Sequence, residues 1–237
     1  MKFGIAALQG FIGACALNAA NIAIAQDAPE DGFYVRAGAG VSFLSDLDQE
    51  FTYNPNILSI VTPPTGAVID TEAGFVASGA VGFNYADGIR TELEYRYATN
   101  GIDVITPIGG FNPDAGPFPP SASDEDINAH FVFSNFYYDF NNSSFLTPFI
   151  GAGVGGAFVN APDIGSDAAL AYQGRAGVSA GLNDGFSVDL EYIYLRTNTL
   201  RFGPDPEDFT PDGPFGPAID GDNYQSSSVM VSLRKQF

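Results

Sequence analysis

His130 is the only histidine in the chain and the side chain best suited to acid–base catalysis. Acidic residues precede it at 124–126, and Ser134 follows it at a short distance. A catalytic histidine needs a nucleophile or an activated water beside it, and a serine at position 132 would share its strand face. Position 132 is valine, and the nearest following serine on that face is Ser134, four residues from the histidine. The sequence favours a histidine near a strand end that has no catalytic partner.

Charged side chains alternate with apolar ones in GIRTELEYRYATN, residues 88–100. Arg90, Glu92, Glu94 and Arg96 share one parity, and aliphatic, aromatic or threonine side chains occupy the other up to position 97. Successive side chains of a strand point to opposite faces, so the segment predicts a strand with one charged face. Such a face suits either an active site or an ion-paired interior.

The polar parity of the other extended segments supplies further charges. The full set has five bases and five acids, which are Arg36, Arg90, Arg96, Arg175, Arg234, Glu92, Glu94, Asp139, Asp189 and Glu191. Charges removed from water are tolerated when they are paired. This balance predicts an ion-pair network in a narrow interior and favours it over catalysis.

A glycine-rich run, GAGVGG at 151–156, has the G-x-G-x-x-G spacing of a dinucleotide fingerprint. A true fingerprint opens a helix and is followed by an acid about 20 residues later. Pro162 follows here instead, and residues 171–176 contain no acid. The acidic runs at 46–50 and 124–126 lack the spacing and central glycine of a calcium loop. We therefore expect no cofactor and no dedicated metal site.

Eight extended segments, bounded by glycine, proline, asparagine and aspartate, position these charges. They span residues 32–44, 72–85, 88–100, 127–140, 145–159, 169–182, 185–199 and 223–237. Three connections are tight (86–88, 141–144 and 183–185), and four are longer (45–71, 101–126, 160–168 and 200–222). The alternation of short and long connections predicts an all-β fold, an eight-stranded antiparallel up-and-down transmembrane β-barrel.

The same alternation also fits a soluble lipocalin-like barrel with an apolar interior. Aromatic residues near strand ends favour the membrane form, in which Leu93 and Tyr95 face lipid. The segment HFVFSNFYYDF is apolar on both parities, and there we predict that Asn135 and Asp139 point inwards.

The long connections carry most of the net charge of −19. They contain 17 acidic residues and one base, Arg201. Such loops repel nucleic acid and attract cations or a basic partner, including a basic host surface. A simply solvated loop surface is the alternative.

Residues 1–25 have the pattern of a secretory signal peptide. Lys2 precedes a long uncharged stretch that ends with Ala23 and Ala25. We predict cleavage after Ala25, which leaves one barrel domain at 26–237. Cys15, the only cysteine, is interpreted as part of the apolar signal core, with a lipoprotein processing site as the alternative. The mature chain then has no disulfide and no thiolate ligand.

Five segments together carry a family resemblance. They are GIRTELEYRY, NFYYDF, PFIGAGVGGAF, AYQGRAGVSAGLNDGFSVDLEYIYL and SVMVSLRKQF. In this order they resemble the surface-antigen and opacity-type outer-membrane β-barrels of Gram-negative bacteria (OmpA/OmpX-like). The resemblance implies insertion from the periplasm by the barrel-assembly machinery, contact with outer-membrane lipid and lipopolysaccharide, and extracellular loops.

The last strand of such barrels ends in an aromatic residue that the insertion machinery reads. Phe237 fits this pattern, with Val229, Val231 and Leu233 on the same parity, whereas Lys235 departs from it.

These observations predict a monomeric, non-enzymatic barrel with a structural, envelope-integrity or surface-interaction role. Eight-stranded barrels fill their interior with side chains, which argues against a diffusion pore. Two alternatives stay open at this point: a narrow porin-like channel for small solutes, and a lipid-modifying enzyme that uses His130.

Overall fold

The computed structural model describes residues 31–55, 61–85, 87–161, 165–210, 213 and 217–237. The strands of this part, in chain order, are β1 (Gly32–Leu44), β2 (Leu47–Thr52), β3 (Gly66–Thr71), β4 (Ala73–Tyr85), β5 (Ile89–Ile108), β6 (Ser121–Ala122), β7 (Asp126–Asp139), β8 (Leu146–Ala161), β9 (Gly165–Gly181), β10 (Phe186–Phe202) and β11 (Ala218–Gln236). The eight long strands, all but β2, β3 and β6, form an antiparallel ring. This confirms the predicted eight-stranded barrel. The predicted signal peptide, with Ala23, Ala25 and Cys15, lies outside the described residues.

Each ring strand pairs with the next one, and β11 pairs with β1 to close the ring. Closure satisfies backbone N–H and C=O groups that lipid cannot hydrogen-bond. Val81 and Leu93 on the outer face are each 57% exposed, whereas Arg90 and Glu94 inside are 1% and 0% exposed. The apolar face therefore points outwards, which is the reverse of the soluble lipocalin-like alternative.

Tight turns join the strands at one end of the barrel, here called the turn end. Gly88, Asp184 and Gly185 there have φ angles of 80°, 60° and 70°. Aspartate and glycine tolerate this left-handed backbone, which explains the Asp-Gly sequences at the two turns. The longer connections all lie at the opposite end, called the loop end.

Several strands continue into segments that the sequence predicts as loops. Strand β5 runs to Ile108 and β11 begins at Ala218, so both extend beyond the predicted segments 88–100 and 223–237. Glycine and proline near these positions usually end a strand. Pro107 nevertheless lies within β5, where it is opposite Ala67 of β3. Tertiary pairing therefore outweighs the local signals.

A β2–β3 hairpin from the first long connection joins the barrel wall at the loop end. Strand β2 pairs with β11, and β3 pairs with β5, so the hairpin continues the wall above β1 and β4. Leu47 and Ile69 of this hairpin are buried. None of the helical segments in the described part of the chain has the length and apolar character to cross a membrane.

Candidate functional site

The interior of the barrel near the turn end holds the predicted charged residues. Arg36 lies at its centre, where its guanidinium Nη2 is 2.7 Å from Glu92 Oε1 and its Nη1 is 2.7 Å from Glu191 Oε1. Glu94 Oε1 lies 3.3 Å from the same Nη2 atom. One arginine therefore bridges carboxylates from two different strands, β5 and β10.

Arg175 of β9 forms a second bridge within the same cluster. Its Nη1 is 2.6 Å from Glu94 Oε2, and its Nη2 is 2.7 Å from Glu191 Oε1. Asn135 donates to Glu94 Oε2 at 2.9 Å, and Gln173 donates to the Asn135 side-chain oxygen at 2.7 Å. Neutral amides thus add hydrogen bonds to a carboxylate oxygen that Arg175 also contacts, and Gln173 satisfies the Asn135 side-chain oxygen.

Two further ion pairs lie close to the turn end. Arg90 donates to both carboxylate oxygens of Asp139, at 2.7 and 2.8 Å, and its Cζ is 4.6 Å from the Tyr137 ring centroid. Arg234 Nη2 lies 3.4 Å from Asp189 Oδ1. Bidentate geometry and stacking over a ring are strong modes of arginine binding in a water-poor interior.

The ten predicted charges thus form one buried region, which we call the charged layer. Their exposed fractions range from 0% at Glu94 to 9% at Asp139 and Arg234. Unpaired charges are very costly at such burial, whereas a neutral and hydrogen-bonded set is tolerated. The arrangement acts chemically as a fixed plug, because each carboxylate of the set contacts an arginine.

The glycine run 151–156 fits against this region. Strand β8 pairs with β7, and a Cβ on Gly151 would approach Tyr137 Cδ1 to 2.4 Å. A Cβ on Gly153 would meet Asn135 Oδ1 at 2.0 Å. Large inward side chains on β7 therefore require small ones on β8, which accounts for the inward glycines Gly151 and Gly153.

The loop-end half of the interior is apolar, and we call it the apolar layer. Phe131 and Phe133 of β7 stack with centroids 5.8 Å apart, and Tyr224 lies 5.5 Å from Phe131. Ile193 and Leu195 of β10 are buried in the same cluster. The sequence reasoning did not identify this layer. Its only signal was the apolar character of both parities of β7.

Arg96 stands at the boundary between the two layers. Its Nη2 is 3.1 Å from Glu94 Oε1, and its Cζ lies 5.8 Å from the Phe133 ring centroid. One end of this guanidinium therefore belongs to the ion pairs and its face contacts the aromatic cluster.

The mouth at the loop end is narrow. Leu47, Ile69, Leu200 and Phe202 line it together with Tyr224, and the cavity between them measures ≈ 10 Å³. That volume is about enough for one water molecule. In the described part of the chain, buried side chains therefore pack the interior from the charged layer to this mouth, as expected of an eight-stranded barrel.

His130 lies on the outer face, not in the interior. Its Nδ1 is 2.7 Å from the Tyr95 hydroxyl, and its ring centroid is 5.1 Å from that of Tyr97. Ser134 is also on the outer face, and the acids at 124–126 are exposed. The histidine thus belongs to an aromatic cluster of the kind found at membrane–water interfaces.

The final strand places the residues of the predicted insertion signal on the outer face. Val231 and Leu233 are 50% and 48% exposed, and Phe237 is 76% exposed, whereas Val229 is partly buried. Their role in insertion stays a prediction.

Lys235 interrupts this apolar row, and the structure shows how it is accommodated. Its Nζ lies 4.7 Å from the Phe186 ring centroid and 5.9 Å from that of Phe237, and it donates to the Asp184 carbonyl oxygen. The long side chain therefore carries its charge to the turn edge, the usual behaviour of lysine near a membrane interface.

Acidic side chains dominate the surface of the loop end. The exposed ones include Asp46, Asp48, Glu50, Asp103, Asp114, Asp124, Glu125, Asp126, Asp205, Glu207, Asp208 and Asp220. Asp163 and Asp212 lie outside the described residues. This surface contrasts with the neutral interior and accounts for most of the net charge.

Comparisons with known proteins agree with this architecture. A family model described as "Outer membrane protein beta-barrel domain" matches residues 11–234. An uncharacterized protein of Brucella suis biovar 1 is 26% identical over 245 residues, which cover 87% of this chain and 85% of that protein.

Two solved structures share the fold. OprG from Pseudomonas aeruginosa superposes with a TM-score of 0.55 at 15% identity, over 88% of this chain and 96% of that one. Neisserial surface protein A superposes with a TM-score of 0.51 at 17% identity, over 87% of this chain and 97% of that one. At these identities the likeness concerns the fold alone.

Proposed function

The chain belongs to the outer membrane protein β-barrel domain family, and from this premise we propose that it is a non-enzymatic membrane anchor that presents an acidic surface outside the cell. The filled interior carries the proposal. Because the charged layer, the apolar layer and the ≈ 10 Å³ mouth occupy the lumen, the chemistry open to a partner lies at the loop end.

The loop end is built to project from the membrane. Strand β5 continues from Tyr97, in the outer aromatic cluster, to Ile108, which adds about 36 Å of strand at roughly 3.3 Å per residue before any tilt. The β2–β3 hairpin pairs with this extension and stiffens it. A surface held by sheet pairing loses little conformational entropy when a partner binds.

The charge of this surface sets the chemistry of the partner. Exposed acids at 103, 114 and 124–126 favour cations or a basic protein surface, and they disfavour nucleic acid. We propose a surface-interaction or envelope-integrity role for a monomeric barrel that the assembly machinery inserts through its last strand.

Cell adhesion to a polylysine-coated surface tests the interaction role. A variant with Asp114→Asn, Asp124→Asn, Glu125→Gln and Asp126→Asn should bind several-fold less than the wild type. The matched control is Asp87→Asn with Asp184→Asn, which removes exposed acids from the turn end and should not change binding. Unchanged adhesion of the loop variant, together with unchanged envelope permeability to a dye, would contradict the proposal.

Planar-bilayer recording tests the porin-like alternative separately. Purified protein should give no reproducible conductance steps, because both interior layers block the lumen. Regular conductance steps that persist across preparations would contradict the anchor role and support a channel.

A further inference from the structure

The distribution of the basic residues singles out one place on the outer surface. Of the nine lysines and arginines, Lys2 lies outside the described residues and five arginines belong to the charged layer. Lys235 lies at the turn end. The remaining two, Arg196 and Arg201, are exposed at the loop end, and both belong to β10. The positive charge of the described loop-end surface is therefore concentrated on one strand segment.

An irregularity in β10 places Arg201 on the outer face, where Arg196 already lies by regular alternation. The register with β11 shifts between Arg196 and Thr199, and shifts again between Thr199 and Arg201. Inward residues change parity across this bulge, from Leu195 before it to Leu200 after it. Regular alternation would have turned Arg201 into the apolar mouth. Bulges commonly re-aim side chains beside binding sites.

The bulge also opens a groove between β9 and β10. Pairing of these strands ends at Thr197↔Ala171, although β9 continues to pair with β8 as far as Gly165. The groove measures ≈ 510 Å³ and is lined by Asp167, Asn198, Thr199, Arg201 and Asn223. Its volume is large enough for a small molecule, and it is an open surface depression rather than an enclosed pocket.

The groove and the neighbouring Arg196, which contacts the groove residue Asn223, hold donors and acceptors that suit a phosphorylated sugar. Arg196 Nε donates to Asn223 Oδ1 at 3.3 Å, and Arg201 Nε lies 3.0 Å from Asp220 Oδ1. The second pair is 79% and 50% exposed, so its energy is small and a ligand can replace it. Asp167 Oδ2 accepts from the Arg201 backbone N–H at 2.7 Å. Guanidinium groups bind phosphate, whereas amide, hydroxyl and carboxylate groups bind sugar hydroxyls.

The position of the groove along the barrel axis indicates whether such a ligand reaches it from the membrane or from solution. Arg196 pairs across strands with Tyr172, and Tyr194 precedes it on the outer face. The two tyrosines are 47% and 41% exposed, typical of the aromatic belt at a membrane–water interface. The groove therefore stands at headgroup level. Free anions are repelled by the acidic loops, whereas a lipid in the same leaflet is delivered to the groove by the membrane.

We propose that the β9–β10 groove binds the phosphorylated saccharide headgroup of a glycolipid, such as the lipid A part of lipopolysaccharide. Arg196 and Arg201 contact phosphate, while Asn198, Thr199 and Asp167 contact hydroxyl groups. In the cell this rests on the proposed outward orientation of the loop end.

Binding of bisphosphorylated lipid A to the protein in phosphatidylcholine nanodiscs tests the site. Native mass spectrometry of intact nanodisc protein measures the retained lipid, and the assay does not depend on orientation or on adhesion. The wild type should retain bisphosphorylated lipid A about tenfold better than dephosphorylated lipid A, as expected for charge-assisted contacts to phosphate. The double variant Arg196→Ser with Arg201→Ser should lose this preference.

Two controls make the result decisive. Lys235→Ser removes one partly buried positive charge at the opposite edge and should keep the preference. Free glucosamine 6-phosphate should compete only weakly, because it lacks the membrane anchor. The proposal is overturned if the double variant, shown to be folded by heat-modifiable gel migration, retains lipid A like the wild type. Competition by the free sugar phosphate at the affinity of the lipid would also overturn it, in favour of a soluble ligand.

Discussion

Buried side chains fill both halves of the barrel interior, but they are charged in one half and apolar in the other. The charged layer near the turn end pairs five arginines with five carboxylates, and the apolar layer near the loop end packs aromatic and aliphatic side chains. Both layers are fully buried, yet their interactions differ in specificity. An ion pair needs one partner at one geometry, whereas an apolar side chain accepts many neighbours.

This difference teaches how register is defined in this barrel. If the pairing of β5 slipped by one residue, its charged side chains would face lipid. The charged layer therefore discriminates strongly between registers. The apolar layer discriminates weakly, because β7 is apolar on both parities there. We infer that the charged layer specifies strand alignment and that the apolar layer mainly contributes stability and closure. The following predictions test this contrast, from the largest effect to the smallest.

Removal of one carboxylate from the centre of the charged layer should have the largest effect. Glu94→Ala leaves Arg175 and Arg96 without a carboxylate that each now contacts, and a broken buried pair costs about 3–5 kcal/mol. Urea unfolding of the protein in detergent micelles measures the free energy of unfolding. Stability equal to the wild type would mean that an unpaired arginine in the charged layer carries no cost.

Truncation in the apolar layer should cost less and leave the strand register unchanged. Leu195→Ala removes a side chain that is 1% exposed, and such changes cost about 2–5 kcal/mol. Tryptic cleavage patterns and NMR cross-strand contacts should match those of the wild type. A shifted register in this variant would contradict the division of roles.

The close contact between β7 and β8 predicts a smaller effect at a glycine. In Gly153→Ala the added Cβ would meet Asn135 Oδ1, and such overpacking costs about 1–3 kcal/mol. Gly156→Ala is the matched control, because no atom lies within 4 Å of a Cβ at that outward position. Equal unfolding midpoints for the two variants would show that β8 moves away freely.

Replacement of a whole ion pair should have the smallest effect on stability. In Arg90→Met with Asp139→Leu both charges disappear together, so neither is left unpaired, and the change in the free energy of unfolding should be near zero or favourable by about 1 kcal/mol. Arg90→Met alone should be clearly destabilising. If the double variant is as unstable as the single one, the pair contributes stability and not only alignment. A slower or heterogeneous refolding into lipid would support the alignment role.

Much of this architecture follows from short-range patterns. The parity of Arg90, Glu92, Glu94 and Arg96 indicates one shared face, and Asp-Gly sequences indicate the tight turns. The extension of β5 to Ile108 did not follow, because its partner β3 comes from a distant connection. The outward position of Arg201 did not follow either, since it depends on a bulge whose register is set by β11.

Four features could be predicted from the sequence alone: the number of ring strands, the alternation of their faces, the acidity of the loops and the balance of ten interior charges. Each of these depends on residue types at fixed local spacing. Three features required the folded structure: the pairing of each arginine with its carboxylate, the apolar layer in the loop-end half, and the groove that Arg201 lines with Arg196 beside it. These features depend on register and closure, because contacts across a barrel join residues far apart in the chain.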